Sequence, residues 1–253
     1  MNPKKIIETA MLKRYWIKLF VRVVIFVGFL VIYLKDRALL GYLLNYEFHL
    51  GIIDYGITPI HALWLIFMVM MISHLIPNKW KTMALEKSLE QNYIPVDSYS
   101  KEELFKFVQD QNIKAWKVML LWLSFNAVFG ILYLAEVIAD VDLLMLTVFY
   151  FLSDYICILF FCPFQKFIMK NRCCVNCRIY DWGHFMMFTP MLFIKNFFSW
   201  SLFFTSLVVL IHWEILYAKY PERFWSQSNK VLQCATCKDK TCQVKRRIQG
   251  EVG

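Results

Sequence analysis

Between Tyr55 and Asn78 the chain carries no Asp, Glu, Lys or Arg. Helical residues in that number reach across the ~30 Å hydrocarbon core of a bilayer, for which about 20 apolar residues suffice. In water such a segment would need other chain wrapped around every side. In lipid a helix satisfies its own backbone and needs no wrapping. The run therefore predicts a transmembrane helix and sets the solvent for the rest of the molecule. Composition agrees, with 59% apolar and 18% aromatic residues against roughly 45–50% apolar in soluble domains. Pro59 stands in the first turn, where its missing N–H is harmless, and Pro77 marks the end.

Further spans follow from the same logic. The first covers about residues 15–34, with Lys18 and Arg22 near its start placed to snorkel toward headgroups. The basic N-terminus is followed by a long apolar run without a small-residue cleavage site, so it reads as a retained anchor. Residues 35–56 mix charges with Leu and Tyr, which suits a short outer helix and not a span. Ser100 and Glu103 form a capping-box pattern ahead of Leu104, Phe105 and Phe107. This predicts an amphipathic helix on the membrane surface, followed by a third span over Ala115–Glu136 and a fourth over Leu143–Phe164. Basic residues then put 79–114 and 165–180 inside and 35–56 and 136–142 outside.

Residues 182–217 are apolar beyond the needs of one helix and are interrupted by Pro190 and Lys195-Asn196. The reading adopted is a hairpin with both limbs crossing, which returns the basic tail to the cytoplasmic side. The expected fold class is all-α: a polytopic integral membrane helical bundle of about 5 to 6 spans. One membrane domain occupies residues 1–253, with a Cys-rich loop (165–182), a Cys-rich tail (226–253) and no soluble domain. The N-terminus and both clusters are expected in the cytoplasm. No repeat, low-complexity tract or Gly/Ser linker points to a second domain.

The net charge of +9 gathers at the borders of apolar runs, so it sets topology and argues against a nucleic-acid surface. Six of the eight cysteines stand in two basic clusters. Cys174 and Cys177 form one C-x2-C pair, Cys234 and Cys237 another, with Cys173 and Cys242 as possible additional ligands. Two such turns present four thiolates to one tetrahedral metal, and neighbouring cations favour the thiolate form. Zinc is the expected metal, with iron or an iron-sulfur cluster as the alternative. The competing readings are idle or lipidated thiols and a dithiol redox pair. Residues 178–233 separate the pairs, so only a chain that doubles back can join them. Cys157 and Cys162, about 140° apart on a continuous fourth helix, read as small buried hydrophobes.

Asp154 falls near the centre of the fourth span, where a lone carboxylate costs on the order of 3 kcal/mol. It must be protonated or partnered, and His61, Glu136, His212 and Glu214 are the candidates. Asp154, Glu136 and His61 form a possible intramembrane polar site, a proton or ion relay in one reading and an interhelical hydrogen bond in the other. His212 and Glu214 face different sides of their helix. His184 reads as an interfacial residue or a substitute ligand. No nucleotide fingerprint, nucleophile elbow or HExxH pattern occurs. The functional expectation is a membrane protein of accessory or scaffold role tied by zinc. The alternatives are a redox protein passing electrons to a quinone or partner and a small transporter built on Asp154 and His61. Expected partners are the lipid bilayer and other membrane or redox proteins.

Overall fold

The computed structural model describes residues 9–45, 59–76, 90–171, 173–174, 176–237 and 241–248. The basic residues before Thr9, the Gly51–Gly56 region and the stretch 77–89 lie outside them. Among the described residues there is no strand, only a lone bridge between Pro95 and Asn229. The protein is an all-α bundle, and four helices are long and apolar enough to cross a membrane.

Helix α1 (Ala10–Lys35) starts where the Thr9 hydroxyl accepts from the Leu12 amide at 3.2 Å. Its outer face is bare, with Phe20 68% and Leu34 73% exposed. A continuous surface of that kind is tolerated when lipid covers it. The short α2 (Arg37–Asn45) follows at the far end. Helix α3 (Pro59–Leu75) is the described part of the uncharged run, with Pro59 in its first turn as expected.

Helix α4 (Lys101–Leu134) opens on the Ser100 cap, whose hydroxyl accepts from the Glu103 amide at 3.4 Å. It corrects one expectation, because the surface helix and the third span are one unbroken helix of 34 residues. No Gly or Pro interrupts residues 101–129. The Glu102–Lys106 (2.8 Å) and Asp110–Lys114 (2.5 Å) pairs brace the polar section at i,i+4 spacing. The helix ends with Glu136 at φ 58°. The Val137 amide then reaches the Leu132 carbonyl at 3.0 Å and the Glu136 amide the Tyr133 carbonyl at 3.0 Å. This is a Schellman termination, with a glutamate in the position that glycine usually takes.

Helix α5 (Asp140–Leu159) is capped by the Asp142 carboxylate, which accepts from the Ala139 amide at 2.8 Å. It stops five residues before the expected boundary at Phe164. Pro163 disfavours helical backbone at Cys162 and has no N–H to offer the ladder. A π-helical turn, Phe164–Met169, follows and leads into the cysteine loop.

The last apolar segment doubles back. Its first limb is α6 (Gly183–Phe188) continued by a 3-10 turn over Thr189–Phe193. The chain turns at Lys195, and the Asn196 side chain caps α7 (Phe197–Lys219) by accepting from the Ser199 amide at 2.7 Å. The hydrophilic Lys195-Asn196 interruption is thus the reversal point and helix start. Phe193 seats on α4 at Gly130, where a Cβ would lie 2.3 Å from the ring. A final helix, α8 (Thr241–Ile248), docks its Val244 among Leu12, Tyr15 and Leu159.

Contacts sort the ends of the bundle. At one end Tyr33 donates to Asp142 at 2.6 Å, and Arg37 pairs with the same carboxylate. At the other, Tyr15 meets Tyr180 and the tail. There Val96 N–H donates to the Ser228 carbonyl (3.0 Å), and Phe107 stacks on Trp225 at 5.7 Å. The cysteine loop, the polar segment before α4, the start of α1 and the tail share this cysteine end. Between the ends, Met71, Leu143, Val148 and Ile194 form the packed centre.

Candidate intramembrane polar site

The loop from Cys177 to His184 is anchored before it reaches the bundle interior. The Arg178 guanidinium grips Glu214 of α7 with both nitrogens, the Nη1 contact at 2.7 Å, and lies over the Tyr217 ring at 3.6 Å. Trp182 Nε1 donates to the same carboxylate at 2.8 Å, and Trp213 Nε1 donates to the Arg178 carbonyl at 2.9 Å. Two indoles and a fork of charge therefore close the open end of the hairpin. Glu214, considered as a partner for Asp154, is engaged here instead.

So held, the loop delivers Tyr180, Asp181 and His184 to a cavity of about 210 Å³ between α1, α3 and α5. His74 in the last turn of α3 sets its Nδ1 3.3 Å from Asp181 Oδ1, with Asp181 only 8% exposed. The His184 ring stands nearly perpendicular to that of His74, centroids 4.9 Å apart. Arg22 Nη1 meets Asp154 Oδ2 at 2.8 Å and also donates to the Phe151 carbonyl. Its guanidinium lies 4.1 Å from the Phe151 ring centre and 4.0 Å from that of Tyr155. Gly183 stands beside this pair, where an added Cβ would lie 3.2 Å from Asp154 Oδ1.

Asp154 thus has the partner its position demands, but the partner is Arg22 of α1. The expectation that Arg22 snorkels to headgroups is corrected: it turns inward, because an ion pair satisfies a carboxylate in the bundle interior better than distant water does. The other proposed partners lie elsewhere. His61, near the opposite end of α3, packs on Phe198 with centroids 4.5 Å apart. Glu136 terminates α4. Lys18, Arg22, His74 and Asp181 were missed as a group. The available signals were the one-turn spacing of Lys18 and Arg22, and an uncharged run that ends in a histidine.

A second polar constellation lies next to the first. Because α5 ends at Leu159, Cys162 leaves the helix and its sulfur accepts a hydrogen bond from Cys157 and lies beside Cys174. The helical-wheel separation of Cys157 and Cys162 is therefore overturned by the early helix end. The Gln165 amide also donates to Cys162 Sγ, at 3.4 Å. Gln165 Oε1 accepts from Cys174 (2.6 Å) and from the Lys245 ammonium (2.8 Å), which also reaches Cys174 Sγ at 2.5 Å. These bonds, first that from Cys157, and the nearby ammonium hold the Cys162 thiol far below its usual range. Lys245 is 7% exposed, and a thiolate is the anion such a buried cation needs.

Of the residues expected to bind metal, Cys174 and Cys177 are buried in the loop, Cys234 is exposed, and Cys173, Cys237 and Cys242 are partly buried. Asn176, inside the first turn, donates its Nδ2 to the carbonyl of Leu232, two residues before the second turn, at 2.8 Å. Among the described residues, no group of three or more His, Cys, Asp or Glu is arranged to hold a metal ion.

No family model matches this sequence, and neither the curated proteins nor the solved structures contain a match to it.

Proposed function

We propose that this integral membrane protein carries an intramembrane acid–base site acting on a substrate drawn from the bilayer. The observation behind this reading is the convergence of His74–Asp181, Arg22–Asp154 and His184 on one cavity inside an otherwise apolar bundle. Ionisable groups at membrane depth are costly and mark functional sites by default. A carboxylate 3.3 Å from one histidine nitrogen favours a proton on that nitrogen and leaves the other to take or give one. The Arg22–Asp154 pair holds fixed charge beside it. The cysteine end faces the cytoplasm in this reading, in keeping with the bias of basic residues.

The test is reconstitution into vesicles of polar lipid extract, with lipid species followed by mass spectrometry. The wild-type protein should convert one class of lipid, and His74→Gln and Asp181→Asn should each lose at least about a hundredfold in rate. Conversion that survives both substitutions, or its absence in the wild type, overturns the proposal.

A second reading keeps the accessory role, with zinc joining Cys174 and Cys177 to Cys234 and Cys237. The Asn176–Leu232 hydrogen bond supports it, because it ties the first turn to the chain two residues before the second. Metal analysis of protein purified without added zinc should then give one equivalent, lost in Cys174→Ser and Cys237→Ser. Metal-free protein of unaltered stability excludes it.

A further inference from the structure

The polar cavity is one half of a longer cleft. Past Met187, which lines both halves, a second cavity of about 80 Å³ runs toward the middle of the bundle, lined by Ile25, Leu63, Phe67, Val148 and Met191 among others. Of its polar lining residues, Thr147 turns its hydroxyl back to the Leu143 carbonyl at 3.0 Å.

The change from polar to apolar is written along four chain segments at one level. On α1 the stripe reads Lys18, Arg22, Ile25, Phe29, and on α3 it reads His74, Met70, Phe67, Leu63. Both follow the spacing that keeps side chains on one helix face. On α5 Asp154 and Tyr155 give way to Phe151 and Val148, and on the first hairpin limb His184 gives way to Met187 and Met191. From Lys18 to Phe29, or from His74 to Leu63, the cleft extends about 16 Å at 1.5 Å per residue.

Its open side lies between α1 and α3. Of the residues lining the polar half, Lys18 and Ser73 are the exposed ones, and they come from α1 and α3. Helix α1 leans chiefly on α5 and α3 chiefly on α7, which leaves the gap between α1 and α3 as the mouth. Charge selects the head of the occupant. The Asp154 carboxylate is paired with Arg22 and that of Asp181 lies against His74, whereas the charges that act on Lys18 are those of Arg22 and Arg14, both positive. Among the described residues no carboxylate pairs with Lys18, so a cation without a carboxylate partner stands at the mouth of the cavity.

We infer that the cleft takes a single-chain amphiphile with an anionic head, a phosphate or carboxylate, admitted between α1 and α3. The head meets Lys18 and lies against His74, and the chain runs along Ile25, Phe29 and Phe67. This inference rests on the acid–base reading of the same cavity and specifies its substrate class.

Binding to purified protein in a neutral detergent tests it, with decyl phosphate, decanol, decyltrimethylammonium, butyl phosphate and inorganic phosphate as probes. Decyl phosphate should bind at least tenfold more tightly than each of the others. Lys18→Gln should reduce its preference over decanol at least fivefold. Ile25→Trp, and separately Leu63→Trp, should weaken decyl phosphate more than butyl phosphate. Equal binding of decyl phosphate and decanol, or of the decyl and butyl phosphates, overturns the inference, as does inorganic phosphate matching decyl phosphate. The two proposals separate cleanly. Head-selective, chain-selective binding without any lipid conversion removes the acid–base reading alone. Conversion that depends on His74, with binding indifferent to head charge, removes this inference alone.

Discussion

Arg22 of α1 and Asp154 of α5 meet at 2.8 Å, with the guanidinium flanked by the rings of Phe151 and Tyr155. The pair ties the first helix, most of whose surface faces lipid, to the buried centre of the bundle. Its geometry serves the site as much as the fold, because the same carboxylate borders the cavity that holds His74 and Asp181.

Asp154→Asn leaves the guanidinium, 12% exposed, without an anion and should destabilise the protein by about 3 kcal/mol. The double variant Arg22→Met with Asp154→Leu removes both charges and should recover most of that loss. Reversible unfolding in mixed micelles measures all three. A double variant no more stable than Asp154→Asn would show that the pair contributes more than charge balance.

Glu214→Gln should open the closed end of the hairpin. Arg178 is 5% exposed, so losing its bidentate partner costs about 3 kcal/mol. The local sign is faster amide exchange over residues 178–182, with exchange in the middle of α4 unchanged.

Gly183→Ala separates site from fold. Its backbone is helical, which suits alanine, so stability should change by less than about 1 kcal/mol. The new methyl would crowd Asp154 at 3.2 Å, and lipid conversion should fall at least about tenfold through misplacement. Equal losses of stability and rate would argue against a positioning effect.

Cys162 should be the cysteine whose alkylation is least sensitive to pH. The bond from Cys157 and the nearby Lys245 ammonium hold its thiol well below the usual range, so the thiolate is already formed at neutral pH. A free thiol reagent with a pKa near 8.5 instead gains about tenfold in rate per pH unit below that value. Lowering the pH from about 8 to 6 should therefore leave labelling of Cys162 nearly constant while the reference thiol slows about a hundredfold. Lys245→Met removes the ammonium, raises the Cys162 value and should restore part of the pH dependence.

Much of the fold was legible because it depends on local rules. Uncharged runs, the Ser100 cap and the Asn196 reversal each act within a few residues, and hydropathy translates directly into helices when the solvent is lipid. Two local readings failed for identifiable reasons. The surface helix after Ser100 and the span from Ala115 were read as separate elements, but no helix breaker stands between them. Pro163 ended α5 early and so turned two cysteines that a continuous helix keeps apart into hydrogen-bonded neighbours.

By itself the sequence determined that this chain is a bundle of lipid-facing helices, that Asp154 requires company, and that two cysteine turns can meet only if the chain doubles back. Which residue keeps Asp154 company was decided by the tertiary structure, as was the gathering of His74, Asp181 and His184. Hydrophobic periodicity specifies which face of each helix turns inward, but not which helices are neighbours or how far each is shifted along the others. Polar contacts 2.8 to 3.3 Å long between residues more than a hundred positions apart follow from that relative placement alone.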